Sequence, residues 1–283
     1  KEIPGETCPV FDLAGEEDAD RRSPIYETAR AWHEEYLKGA DTDNLPRGDR
    51  NGRGESRKKC RYSFALSVRE LSKLCGEQNT SVNVLSNAAF GYLLSVCLLK
   101  EDVCFATVFN GRTDLKQNRT VGLMVRTIPM RCRIHDNSDI RTYLNETKEH
   151  LLGAMANDLY SFDEVSASYG LTSEVLFACQ DKINVRPALD GKLLKHIPLA
   201  YQATESSFSV ELWLPEDGRV YVSAEYDDSR YSENLIRRML SLYERILTGL
   251  LKRERLDEIA LVSDTEQKAL LKLGTGRQEP YDS

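Results

Sequence analysis

The four histidines, His33, His135, His150 and His196, are the side chains best suited to move a proton near neutral pH. None adjoins another, and no H-E-x-x-H or H-x-H spacing brings two of them to one metal or one reacting atom. His33 and His150 fall in glutamate-rich helical stretches, where an exposed surface position is expected. His135 follows a strand, and His196 lies in a Lys-Leu-Leu-Lys loop. The seven cysteines (Cys8, Cys60, Cys75, Cys97, Cys104, Cys132, Cys179) are scattered and form no C-x-x-C pair. They therefore predict neither a zinc site nor a disulfide framework, but reduced thiols. Cys104 and Cys132 fall on strands, as buried thiols rather than nucleophiles. No G-x-S-x-G, P-loop or dinucleotide glycine pattern is present, and the late "GTGR" lacks a strand-to-helix setting. Chemistry alone points to no catalytic engine and no metal in this chain.

What stands out instead is an arginine in apolar surroundings. "VGLMVRTIPMRC", Val121 to Cys132, reads as a core strand with Arg126 in its middle and Arg131 near its end. A cation in a core costs several kcal/mol unless it is paired or hydrated (~3–5 kcal/mol when a buried charge loses its partner). Two readings remain open. Met124, Arg126 and Ile128 share one face by alternation, so Arg126 either snorkels at a sheet edge or lines a wetted wall.

The elements that must carry these residues follow from patterning. The chain has 283 residues, of which 41% are hydrophobic and 29% charged, enough for one large or two small domains. A net charge of −7 argues against nucleic acid as a partner. No run of 18 apolar residues suggests a membrane span, and the first residues lack a signal-peptide core, so a cytoplasmic setting is expected. Phe11 to Ala14 and the acidic stretch after them start no evident element. Ser23 to Leu37 predicts a helix, with Pro24 in its first turn. Asp41 to Lys59 predicts a polar loop containing "RGDR", with six basic residues between Arg47 and Lys59. A solvated loop is the plainer reading there, and a basic docking patch the alternative.

Tyr62, Phe64 and Leu66 alternate as a strand, and Ser67 to Glu70 is a capping box for a helix through Gly76. Ser81 to Leu99 is apolar nearly all round and predicts a deeply buried helix. Asp102 to Arg112 is a buried strand ending in a turn at Asn110-Gly111. The loop from Thr113 to Thr120 leads to the strand from about Leu123 to Ile134. Ser138 caps a helix with Ile140, Leu144, Leu151 and Met155 on one side. Leu176 to Ile183 is a strand. Ser207 to Leu214 and Val220 to Tyr226 form a hairpin about "PEDG". Ser232 caps a helix through Lys252 with Leu235, Met239, Leu242 and Ile246 on one face. A short helix near Thr265 to Leu271 precedes "GTGRQEPYDS", which reads as a linker. Strands and long helices without a regular βαβ rhythm predict an α/β (α+β) sandwich with a mixed sheet and flanking helices.

In order and spacing, these segments resemble the second half of a nonribosomal peptide synthetase condensation domain. "AWHEEYLKGA" with its Pro-Arg-Asp-Arg-type loop, capping box and buried helix fits the middle of that family. "VFNGR" (Val108 to Arg112) is similar to its Asn/Ser-Gly-Arg turn. "VGLMVRTIPMRC" is similar to its F-V-N-T-L-P-L-R strand, and "NDLYSFDEV" (Asn157 to Val165) to H-Q-D-Y-P-F-E. "SEVLFACQ" (Ser173 to Gln180) resembles the next motif, and "LVSDTEQKALL" the closing segment before an adenylation domain. Arg126, Asn157 and Ser161 depart from the family's asparagine, histidine and proline.

The resemblance implies a chloramphenicol acetyltransferase-like lobe, one of two set in a V. The H-H-x-x-x-D-G motif that carries catalysis belongs to the other lobe and is absent here. It further implies a lead-in segment over 1–60, the C-terminal lobe over 61–262 and a linker toward an adenylation domain over 263–283. No residue of this chain is then catalytic. Gly122, Met124, Arg126 and Thr127 become substrate-tunnel candidates. Asn110, Gly111, Arg112 and Arg131 become structural. Substrates would arrive as thioesters on the phosphopantetheine of peptidyl carrier proteins, with no cofactor bound directly. The partners implied are the N-terminal lobe, the carriers and a downstream adenylation domain. The alternatives are a degenerate scaffold that binds carriers, an epimerization-domain lobe (suggested by "NRTVG") and a free-standing acyltransferase, which would need a histidine motif this chain lacks. A lobe parted from its partner is also expected to expose an apolar patch.

Overall fold

The computed structural model describes residues 8–52, 56–112, 117–135, 139–180, 188–189, 192–193, 206–215 and 217–274. His196, the start of the Thr113 loop (residues 113–116), the expected cap Ser138, the end of the Ile183 strand (residues 181–183) and the linker from residue 275 lie outside them. Two helices open the chain, α1 (Val10–Arg21) and α2 (Pro24–Tyr36). Strand β1 (Arg57–Ser67) leads through α3 (Val68–Glu77) into the long helix α4 (Val82–Leu98). Strands β2 (Asp102–Phe109) and β3 (Arg126–Arg133) follow, then α5 (Ile140–Ala156), α6 (Phe162–Tyr169) and β4 (Val175–Gln180). A two-residue pair, β5 (Ala188–Leu189) and β6 (Lys192–Leu193), precedes the hairpin β7 (Phe208–Trp213) and β8 (Arg219–Asp227). Helices α7 (Glu233–Lys252) and α8 (Asp264–Gly274) close the chain.

Six strands form one mixed sheet in the order β1-β8-β7-β4-β2-β3. The β7–β4 and β4–β2 pairs are parallel, and the others antiparallel. The main core lies on the face carrying Val103, Phe105 and Phe177, under α4, α5 and α7. Helix α4 is buried from Val84 through Ser95, as its continuous apolar surface requires. A smaller core lies on the opposite face, where Cys104 meets Ala29 and Leu37 from the α2 end and Tyr160 and Val165 from the α6 end. Alternation along β2 sends Cys104 to one side and its neighbours Val103 and Phe105 to the other. The expected α/β sandwich is what forms.

Several local expectations are corrected. Phe11 to Ala14 belong to helix α1, set by Pro9 at its N-cap, Asp12 in its first turn and Arg21 in its last. Strand β1 starts at Arg57, five residues before Tyr62, because β8 extends far enough to pair Arg57 with Asp227. The α5 cap is Asp139 rather than Ser138, and its carboxylate accepts from the Thr142 amide at 3.1 Å. On α7 the fully buried stripe runs through Ile236, Leu240, Tyr243, Leu247 and Leu250, with Leu235 and Leu242 at its margin. The capping box Ser67–Glu70 and the Ser23 and Ser232 caps stand where the sequence puts them. Among the described residues no single helix is long and apolar enough to cross a membrane.

Candidate functional site

Strand β2 ends at Phe109, opposite Arg126. Beyond it the chain turns away: the Asn110 side chain accepts from the Arg112 amide at 3.1 Å. Gly111 has φ +64, and a Cβ there would collide with the Met124 carbonyl oxygen, so the position needs glycine twice over. Arg112 then gathers the loop, donating to the carbonyls of Gln117, Thr120 (3.0 Å) and Gly122 (3.0 Å). Asn110, Gly111 and Arg112 thus form one hydrogen-bonded turn.

The ladder with β2 starts at the Phe109–Arg126 pair, so β3 begins at Arg126 and not near Leu123. Val121, Leu123 and Val125 are 79%, 88% and 55% exposed, a run of apolar side chains facing outward. Phe11 of α1 is exposed as well, and its neighbour Val10 lies against Gly122, where an added Cβ would come within 2.8 Å of Val10 Cγ2. Thr120 Oγ1 donates to the Cys8 carbonyl at 2.8 Å. The start of α1 is thus seated on the segment that leads into β3. Met124 and Thr127 are half-buried, Thr127 in the ladder opposite Val108.

Arg126, at the head of an edge strand, is not alone. Its guanidinium takes both carboxylate oxygens of Glu17 in α1, one of them at 3.1 Å, and its Nε lies 3.6 Å from Asp158. The Arg126 hydrogen bond draws the Glu17 pKa down. Burial pushes the Asp158 carboxyl up, against the opposing pull of Arg126. Sequence reading missed Glu17, whose helix carries almost no apolar stripe, and Asp158, which lies in the turn between α5 and α6. The acidic run "GEEDADRR" was the one available signal.

Two of the departures from the family pattern have local reasons. Asn157 ends α5, its side chain donating to the Gly153 carbonyl at 2.8 Å. Ser161 opens α6 in a capping box with Glu164. Glu164 also accepts from Tyr26 (2.6 Å) and Arg21 (3.2 Å). Burial alone would raise its pKa, but these bonds and those from Ser161 bring it down to about 2.

Arg131, 3% exposed, ties β3 to the end of α2. It donates to Asp102 (2.9 and 2.5 Å) and to the carbonyls of Tyr36 (2.7 Å) and Lys38 (3.1 Å), and its backbone amide donates to the Tyr36 hydroxyl oxygen at 2.6 Å. These bonds join β3 to the end of α2 and to Asp102.

The histidines are corrected. His33 is fully buried against Trp32 and Tyr160, with Nδ1 2.9 Å from the Ala29 carbonyl. His150 is half-buried, with Nδ1 3.1 Å from the Arg131 carbonyl. Both rings point inward, His33 onto Tyr160 of the small core and His150 onto the β3 backbone and the Tyr36 ring. Burial lowers both pKa values. His135 is exposed, 3.8 Å from Glu101. Cys104 and Cys132 are buried, and desolvation pushes both thiols up to about 12, which leaves them un-ionised. Among the described residues no three His, Cys, Asp or Glu side chains form a metal-sized cluster.

A mixed sheet covered on both faces, with an Asn-Gly-Arg turn before an edge strand, gives the class of fold, a mixed α/β sandwich, which its structural neighbours place as chloramphenicol acetyltransferase-like. The model of the Condensation domain family matches residues 5–271, and the chain belongs to that family. It is 25% identical over 225 residues to bacitracin synthase 3 of Bacillus licheniformis, covering 75% of this chain and 4% of that protein. The chain thus spans a small part of this curated relative's length. The first condensation domain of the calcium-dependent antibiotic synthetase superposes with a TM-score of 0.72 at 15% identity, over 92% of this chain and 61% of that one. The X-domain in its complex with OxyB from teicoplanin biosynthesis superposes at 0.74 and 14%, over 93% and 62%.

Proposed function

We propose that this chain is the C-terminal lobe of a peptide synthetase condensation domain. Together with an N-terminal lobe it joins an acyl or peptidyl thioester on one carrier protein to the amine of an aminoacyl thioester on another. The observation that carries the reading is coverage: nearly all of this chain superposes on about three-fifths of a condensation domain. The outward-facing Val121, Leu123 and Val125 beside Phe11 support a missing apolar partner on that side. The burial of His33 and His150 supports a catalytic histidine supplied by the other lobe.

In this reading Gly122, Met124, Arg126 and Thr127 border the tunnel in which the two phosphopantetheine arms meet. Arg126 brings its own carboxylates, Glu17 and Asp158, so it shapes and charges the wall rather than waiting for an acidic substrate. The domain works in the cytoplasm, beside carriers and an adenylation domain reached through residues 263–283. The isolated chain makes no amide bond. The test mixes it with a donor carrier bearing an acyl thioester and an acceptor carrier bearing an aminoacyl thioester, and follows the acceptor by mass spectrometry. No product is expected; turnover by this chain alone overturns the lobe reading.

A second reading is a scaffold without chemistry. It is favoured by the similarity to an X-domain found in a complex with OxyB and by Arg126 standing in place of the family's asparagine. Sequencing the gene upstream of Lys1 separates the two: an in-frame H-H-x-x-x-D-G supports catalysis, and a lobe without it the scaffold.

A further inference from the structure

A second cationic site lies far along the fold, where the loop after α2 meets the turn between β8 and α7. Arg47, Arg50, Asn51, Arg230 and Tyr231, with one carboxylate, Asp43, are among the residues that line an open cavity of about 340 Å³ there. Its walls are fixed. The Arg50 and Gly52 amides donate to the carbonyls of Arg230 and Ser229, each at 3.0 Å. The Tyr231 hydroxyl donates to the Pro46 carbonyl at 2.6 Å, and Ser232 donates from both its amide (2.7 Å) and its hydroxyl (2.5 Å) to Asp49. Gly48 is pressed so closely on the Arg230 backbone that no other residue fits without movement.

The charges inside this frame do not cancel. Arg47 and Arg230 are exposed and, among the described residues, make no side-chain hydrogen bond or ion pair. Arg50 donates to a carbonyl, that of Asp228, at 2.8 Å. The nearby carboxylates are already engaged: Asp43 3.7 Å from Lys100, Asp49 by Ser232, and Asp228 at 2.7 Å from Lys58, although the last two still feel Arg50. Two guanidinium groups without a carboxylate partner, Arg47 and Arg230, and a third, Arg50, held by a carbonyl and only partly offset by Asp49 and Asp228, thus line one cavity in a chain whose net charge is −7. A carboxylate satisfies one such fork. A tetrahedral phosphate offers oxygens in three directions and suits three.

We propose that this cavity binds the phosphate group of a mono- or diester, with Arg47, Arg50 and Arg230 around it. The inference stands apart from the lobe reading and needs no tunnel. The test is calorimetric titration of the chain with inorganic phosphate, pantetheine 4′-phosphate and pantetheine, for the parent, the R47A/R230A double variant and R69A. Neither Arg47 nor Arg230 braces the fold, and circular dichroism checks that the variant is folded. Arg69, at the other end of β1, controls for loss of charge alone.

Saturable binding of the phosphate-bearing probes but not of pantetheine is expected, weakened about 100-fold in the double variant (roughly tenfold per charged hydrogen bond) and by less than about twofold in R69A. Tighter binding of pantetheine phosphate than of inorganic phosphate would make the source a carrier's prosthetic group. Equal binding would make it a free phosphate compound. No saturable binding of either, binding retained by R47A/R230A, or equal loss in R69A overturns the proposal.

Discussion

Replacing Arg131 by methionine keeps the aliphatic stem and removes the guanidinium. The loss is larger than one ion pair. Asp102 loses a two-nitrogen partner, and the carbonyls of Tyr36 and Lys38 lose their donor at the seam between α2 and β3. Breaking a buried pair on one side costs about 3–5 kcal/mol, because the orphaned charge stays behind. Asp102 keeps 32% of its side-chain surface exposed, so water takes part of the charge and the lower end applies, about 3 kcal/mol. That is a large share of a typical ~5–15 kcal/mol of folding free energy. Urea unfolding by linear extrapolation measures it, with an unchanged slope showing that the same surface unfolds. The double variant R131M/D102L removes the orphan as well and should cost less than R131M alone. A loss below about 1 kcal/mol for R131M, at unchanged slope, would refute the claim that Arg131 holds the α2–β3 seam.

Arg126→Met, by contrast, acts on a side chain 37% exposed, so its cost stays below about 1 kcal/mol, while amide exchange in Val10–Arg21 accelerates; unchanged exchange would show that α1 is held by other contacts. Gly111→Ala should cost about 2 kcal/mol or more, since φ +64 and the Met124 carbonyl both oppose a Cβ; a neutral change in thermal unfolding would contradict the turn described. Gly91→Ala gains about 1 kcal/mol of helix propensity, but its methyl would strike Cys132, and overpacking of about 1–3 kcal/mol should win, so a stabilised variant would mean that α4 can shift. Glu164 has a folded pKa of about 2, below its ordinary 4.5, so its contribution is complete above pH 4.5 and is lost as pH falls toward 2; the acid limb of stability should flatten over that range in E164Q, and an unchanged limb would refute it. His33 has a lowered folded pKa, so stability is full above 6.5 and declines as pH falls below it, and H33F should remove part of that slope.

The elements with strong periodicity or caps were legible. The all-apolar α4, the Ser67–Glu70 box and the β7–β8 hairpin each carry their signal within a dozen or so residues, because capping and alternation are local. What was not legible depended on distant partners. Nothing near Arg126 indicates that Glu17 or Asp158 will pair with it, and α1 has too little apolar stripe to be read as a helix. His33 sits in a segment rich in glutamate, yet its face is decided by Tyr160 and Val165, more than a hundred residues on. The motif around Arg131 gave no sign of its bonds to the end of α2, which lies 93 to 95 residues earlier in the chain.

The strand order sets a schedule for synthesis. Among the described strands β1 pairs with β8 alone, and Lys59 meets Glu225 across 166 residues of chain. At ribosomal speeds of about 5–20 residues per second, β1 waits on the order of ten seconds before its partner emerges. Its opening residues, Arg57, Lys58 and Lys59, are basic, which discourages a waiting strand from pairing with the wrong neighbour. Slower elongation between β1 and β8 therefore lengthens the interval in which the nascent chain can aggregate, without altering any contact in the finished fold.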